Sequence, residues 1–153
     1  MSTIYTKYRD RYVSHLDRYS EYAVPVMRIG LGGVIFLAGA HKLVAPDVWT
    51  EYAAPWVTAL WPESVLSFEL VMMANGVFEL LFGIALIAGF YTTIVAGVIT
   101  LSLLAVVFDL ATGAIQTGKF VDILIRDIGL VALALGVTLL SAQQSRSTAD
   151  PRE

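Results

Sequence analysis

Four runs of apolar residues, 23–43, 65–90, 92–111 and 121–141, dominate the chain. Each is long enough, at about 1.5 Å per residue, to cross a hydrocarbon layer of roughly 30 Å. A segment in lipid must satisfy its own backbone N–H and C=O groups, so each run reads as a transmembrane helix. The breaks at 89–92 and 112–119 are short, which makes consecutive helices antiparallel neighbours. The predicted fold is therefore all-α, a four-helix antiparallel transmembrane bundle over 23–141. An amphipathic interfacial helix over 1–22 precedes it and a polar tail over 142–153 follows.

Composition closes off several classes. With 153 residues, 57% of them hydrophobic and 15% charged, the four spans leave no room for a separate soluble catalytic domain. The absence of cysteine excludes disulfides, iron–sulfur clusters, thiolate zinc sites and cysteine nucleophiles. A net charge of −3 supplies no concentrated basic patch for nucleic acid. The bilayer is the first expected partner.

Charge asymmetry sets the expected orientation. Lys7, Arg9, Arg11, Arg18, Arg146 and Arg152 flank one side of the bundle, and only Lys42 and Lys119 the other, so both termini are expected in the cytoplasm of a multi-pass cell-membrane protein. Ala38-Gly39-Ala40 looks like a signal cleavage site, but the long polar segment before the first run, with Asp10, Asp17 and Glu21, is a poor leader, and the run is read as a retained helix. Within 1–22, Tyr5, Tyr8, Tyr12, Leu16, Tyr19 and Tyr22 gather on one helical face. Such a stripe suits either the membrane interface or a seam against a partner subunit.

All three tryptophans, Trp49, Trp56 and Trp61, lie between the first two runs. Pro55 and Pro62 break any long helix there, so short interfacial helical turns are expected, acting as an aromatic belt or as a lid over a pocket.

Ionisable side chains inside the spans cost about 2.5–3.5 kcal/mol each even on insertion scales, so each needs an account. Arg28, Gly32, Ile35, Gly39 and Lys42 share one face of the first helix, and Glu69, Met72, Gly76, Glu79 and Gly83 one face of the second; the two grooved faces are expected to meet. Arg28 and Glu79 are the candidate buried polar pair or proton site. Arg28 could instead snorkel to the surface, and Glu79 could be paired, hydrogen-bonded to Asn75, or protonated. At the opposite ends of the helices His41, Lys42, Asp109, Arg126 and Asp127 form the densest constellation, with Glu69 and Asp122 beside it. It reads either as interfacial capping and pairing or as a pocket for a polar headgroup. No metal site is expected: the histidines, His15 and His41, fall on opposite sides of the bundle, and no paired ligand spacing occurs.

The segments Arg28-Ile29-Gly30-Leu31-Gly32 and Phe36-Leu37-Ala38-Gly39-Ala40-His41-Lys42-Leu43 resemble the first-helix signature of the DoxX/DoxD-like membrane protein family. Residues 78–92, from Phe78-Glu79 through Gly89-Phe90-Tyr91-Thr92, are similar to its acidic second helix, and Arg126-Asp127-Ile128-Gly129-Leu130 to the start of its last helix. The resemblance implies an accessory membrane subunit of a quinone-linked redox complex, for thiosulfate, thiol or quinol oxidation. It also implies redox subunits as partners and quinone, with no intrinsic cofactor, as the ligand. The expected site carries His41, Lys42, Asp109, Arg126 and Asp127 toward a headgroup or partner. The alternative is a membrane scaffold without ligand, and outward glycine faces make a homo-oligomer a further expectation.

Overall fold

The computed structural model describes residues 12–149, with side chains described through residue 146. Six helices are numbered here in chain order: α1 (Ala23–Val44), α2 (Pro46–Thr50), α3 (Pro55–Leu60), α4 (Phe68–Ala88), α5 (Thr92–Thr117) and α6 (Val121–Ala149). Four of them, α1, α4, α5 and α6, are long and apolar enough to cross a membrane. No strand occurs among the described residues. Large apolar side chains such as Leu37, Leu81, Leu101 and Ile125 are exposed around the outside of the bundle, as lipid contact requires.

The most intimate contact is between α1 and α4, and glycine is its cause. A Cβ added at Gly39 would lie 2.6 Å from the Gly76 carbonyl oxygen, and one at Gly32 would lie 2.9 Å from that of Gly83. Gly76 and Gly83 are as tightly covered from the other side, by Gly39 and by Phe36. The backbones touch because neither helix has a side chain there, and dispersion contacts replace the hydrophobic drive that lipid cannot supply. The two faces picked out in the sequence thus meet as expected. Of the neighbouring glycines, Gly30 and Gly33 have nothing within 4 Å and lie outside this seam.

The second close pair is α5 with α6. Ile99 and Leu103 pack with Ala134 and Val137, joined by Leu31, Ile35 and Leu86 from the first pair, so one core runs through the whole bundle. Thr100 and Thr138 approach to 3.4 Å between hydroxyls, each also donating to the carbonyl four residues back at 2.8 Å. Those back-bonds let a hydroxyl sit in an apolar helix without an unmet donor.

Two boundaries differ from the sequence reading. Thr112 and Gly113 do not break the third span: α5 continues to Thr117 and stops at Gly118, whose left-handed φ of 70° ends the helix. Likewise, the fourth helix does not end at Ser141: α6 continues into the polar segment as far as Ala149. In both places polarity changes before the helix ends, because a helix satisfies its own backbone hydrogen bonds whether or not its side chains are apolar.

The amphipathic helix expected over 1–22 lies partly outside the described residues. Residues 12–17 are helical and a turn leads into a 3₁₀ segment, Ser20–Tyr22, with Tyr12, Leu16, Tyr19 and Tyr22 exposed.

Candidate functional site

The interhelix loop 45–67 folds back over one end of the bundle, the loop end. Pro46 and Pro55 each occupy the first turn of a short helix, where a missing N–H costs nothing. Between those helices Ala54 is fully buried, and its N–H donates to both carboxylate oxygens of Asp109 at 3.2 and 3.3 Å. Gly113, one turn along α5 from Asp109, leaves the space into which Ala54 fits. Trp56 adds a second tether, its indole N–H donating to the Thr112 hydroxyl at 2.8 Å. Asp109 therefore pins the loop.

Beneath the loop lies Lys42, only 5% exposed. Its ammonium meets Glu79 Oε1 at 2.6 Å and Asn75 Oδ1 at 2.6 Å, and sits 4.5 Å above the Trp49 ring. The glycine seam makes this possible, because backbones in contact bring the side chains one turn away into bonding range. Glu79 keeps one oxygen, Oε2, buried and without a partner. On α6, Arg126 donates from Nε to Asp127 Oδ1 at 2.8 Å; the aspartate is buried while the guanidinium is largely exposed. His41 accepts from the Trp49 indole N–H on Nδ1 at 2.8 Å.

Two adjoining cavities open among these groups. The larger, about 460 Å³, has apolar walls including Phe68, Val71, Met72 and Ile123, with Lys42, Asp109, Arg126 and Asp127 at its polar edge. The smaller, about 350 Å³, is reached by His41, Glu79 and Asp127 and shares Lys42, Trp49 and Arg126 with the first. The five residues expected at a headgroup site are thus brought together, with His41 on the smaller chamber alone. Glu69, on the expected face of the second span, is exposed and lines neither cavity.

Of the alternatives left open for Glu79, pairing with Arg28 is not the one the structure shows: Glu79 pairs with Lys42. The antiparallel register that sets Gly32 against Gly83 and Gly39 against Gly76 also sets Arg28 against Gly89. Gly89 is ten residues from Glu79, roughly 15 Å along the helix at about 1.5 Å per residue. Trp49 and Trp56 are walls of the larger cavity, whereas Trp61 packs edge-on against Phe68 and donates to the Leu66 carbonyl. Among the described residues no three His, Asp or Glu side chains converge as a metal site would require.

The DoxX family model matches residues 23–112, more than half of the chain, from the start of α1 to the Asp109 turn. The chain belongs to the DoxX family. No curated protein and no solved structure matches it. The DoxX match contains the glycine seam, the Lys42–Glu79 pair, the tryptophan loop and Asp109. It ends before α6, so Arg126 and Asp127 enter the site from outside the matched region.

Proposed function

We propose that this DoxX-family protein is an accessory membrane subunit of a quinone-linked redox complex and that the loop-end cavities receive the quinone headgroup. The observation carrying this reading is the 460 Å³ chamber, apolar on most of its wall and edged by two cations, Lys42 and Arg126. Its volume lies in the range of small-ligand pockets, which combine apolar walls with a few convergent polar groups. The ring would lie against Phe68, Met72 and Ile123. Arg126, with terminal amines beyond the Nε spent on Asp127, would donate to a carbonyl oxygen. Lys42, its charge paired with Glu79 and its ammonium also held by Asn75, would mark the adjoining edge, and His41 would serve the smaller chamber. Glu79 Oε2, buried and without a partner, would be the atom to take up a proton there. Electrons would come from a partner subunit, since this chain binds and orients. The proposed orientation has both termini cytoplasmic and the cavities opening toward the outer face, following the Lys/Arg asymmetry.

The scaffold reading is favoured by a different observation: Lys42, Trp49 and Trp56 already spend donors within the chain. Gentle solubilisation, followed by extraction and mass spectrometry of bound quinone, separates the two. Quinone is expected to co-purify, and Arg126→Ala to lower quinone-dependent turnover per assembled complex about tenfold, the loss of one charge-assisted hydrogen bond. Absence of quinone together with unchanged turnover in Arg126→Ala and His41→Ala would leave the scaffold as the function.

A further inference from the structure

At the other end of the bundle, where α1 begins and α4 passes into α5, lies a separate cavity of about 500 Å³. Its wall carries Arg28, Ser141, Thr92, Thr93 and Gln144 and, among the described residues, no carboxylate. Among the described residues three buried side-chain polar atoms have no hydrogen-bond partner, and two of them, Arg28 Nε and Ser141 Oγ, belong to this cavity wall. Ser141 is 94% buried, so water does not answer its hydroxyl from the bulk. Buried donors without acceptors are rare because each costs about 1–3 kcal/mol. Here they converge.

Two backbone features add to the same field. The carbonyls of Ala85 and Leu86 at the end of α4 already accept from the Phe90 and Gly89 N–H groups, at 2.8 and 3.0 Å. They leave the guanidinium to lie over Gly89, where a Cβ would collide with Arg28 Nη1. The first turn of α5 starts in the cavity wall at Thr92 and Thr93, with no side chain capping it at Tyr91. The first N–H groups of a helix have no intrahelical acceptor and carry partial positive charge.

We propose that this cavity is an anion site that binds a phosphate group, with Arg28 as the charged donor and Ser141 and the α5 amino terminus as neutral donors. Every polar group identified on the wall can donate, the fixed charge is positive, and a tetrahedral oxyanion offers the acceptors that Arg28 Nε and Ser141 Oγ lack. A phospholipid headgroup and free phosphate share this chemistry. The site is independent of the loop-end cavities and of the quinone reading.

The test uses the full chain. Inorganic phosphate is titrated calorimetrically into detergent-purified protein, and nanodiscs of phosphatidylglycerol or phosphatidylcholine are compared by native mass spectrometry. Wild type is expected to bind phosphate or to retain phosphatidylglycerol over phosphatidylcholine. Arg28→Gln is expected to weaken that binding roughly ten- to hundredfold, and Ser141→Ala about fivefold. Retention of phosphatidylglycerol without a response to phosphate assigns the site to lipid, and the converse to a soluble anion. Binding of neither probe by wild type overturns the proposal, as does wild-type affinity in both variants. Should Arg28→Gln fail to accumulate, unchanged binding in Ser141→Ala is sufficient to overturn it.

Discussion

Lys42 and Glu79 meet at 2.6 Å across the α1–α4 seam, in a place where both side chains are almost wholly buried. A bridge in that position ties the two helices at one level and fixes their register, while the glycines on either side fix their distance. It also settles how a membrane span tolerates a carboxylate: the compensating cation comes from the facing helix, with Asn75 as a third member.

Removing one partner should be worse than removing both. Lys42→Met or Glu79→Leu alone leaves an uncompensated buried charge and is expected to cost about 3–5 kcal/mol, whereas the double variant recovers part of that loss. Thermal unfolding of the purified variants in one detergent measures the coupling. Additive losses would show that the two side chains act independently.

Glycine substitutions should sort by contact. Gly39→Ala and Gly83→Ala drive a methyl into the facing backbone and are expected to destabilise by about 1–3 kcal/mol or to prevent accumulation. Gly33→Ala and Gly129→Ala, which meet nothing within 4 Å, should accumulate as wild type. Expression level and unfolding midpoint read the difference, and equal behaviour of the two sets would contradict the seam.

Asp109→Ala should loosen the loop and spare the bundle. It orphans the buried Ala54 N–H at a local cost of about 1–3 kcal/mol, and Asp109→Asn, which keeps one acceptor, should be milder. Hydrogen exchange is expected to speed up over 45–67 without change in α5 and α6. Uniform acceleration throughout would make Asp109 a determinant of the whole fold.

Orientation is testable because the chain has no cysteine of its own. Glu63→Cys and Lys119→Cys, at the loop end, should react with an impermeant thiol reagent on intact cells, and Glu21→Cys only after permeabilisation. The reverse pattern would invert the protein and place the phosphate cavity outside.

The sequence by itself determined the number of spans, their antiparallel order and the faces on which Gly32, Gly39, Gly76 and Gly83 lie, because hydropathy and helical period are local properties. It also marked His41, Lys42, Asp109, Arg126 and Asp127 as costly or end-clustered residues. Which charges pair was decided only by tertiary structure. A slide of one helix along its neighbour by about three turns would have joined Arg28 to Glu79 with the same periodicity, and the Lys42–Glu79 bridge together with backbone contact between particular glycines excludes it. Ser141 shows the other limit. A serine at the end of an apolar run looks like a boundary residue, and its place on one cavity wall with Arg28 and Gly89 depends on three helices at once. Helix ends were misread for a related reason, since α5 and α6 run past the polarity change until a left-handed glycine stops α5 and beyond residue 146 in α6. Lipid dictates where a helix must be apolar, and backbone geometry dictates where it ends.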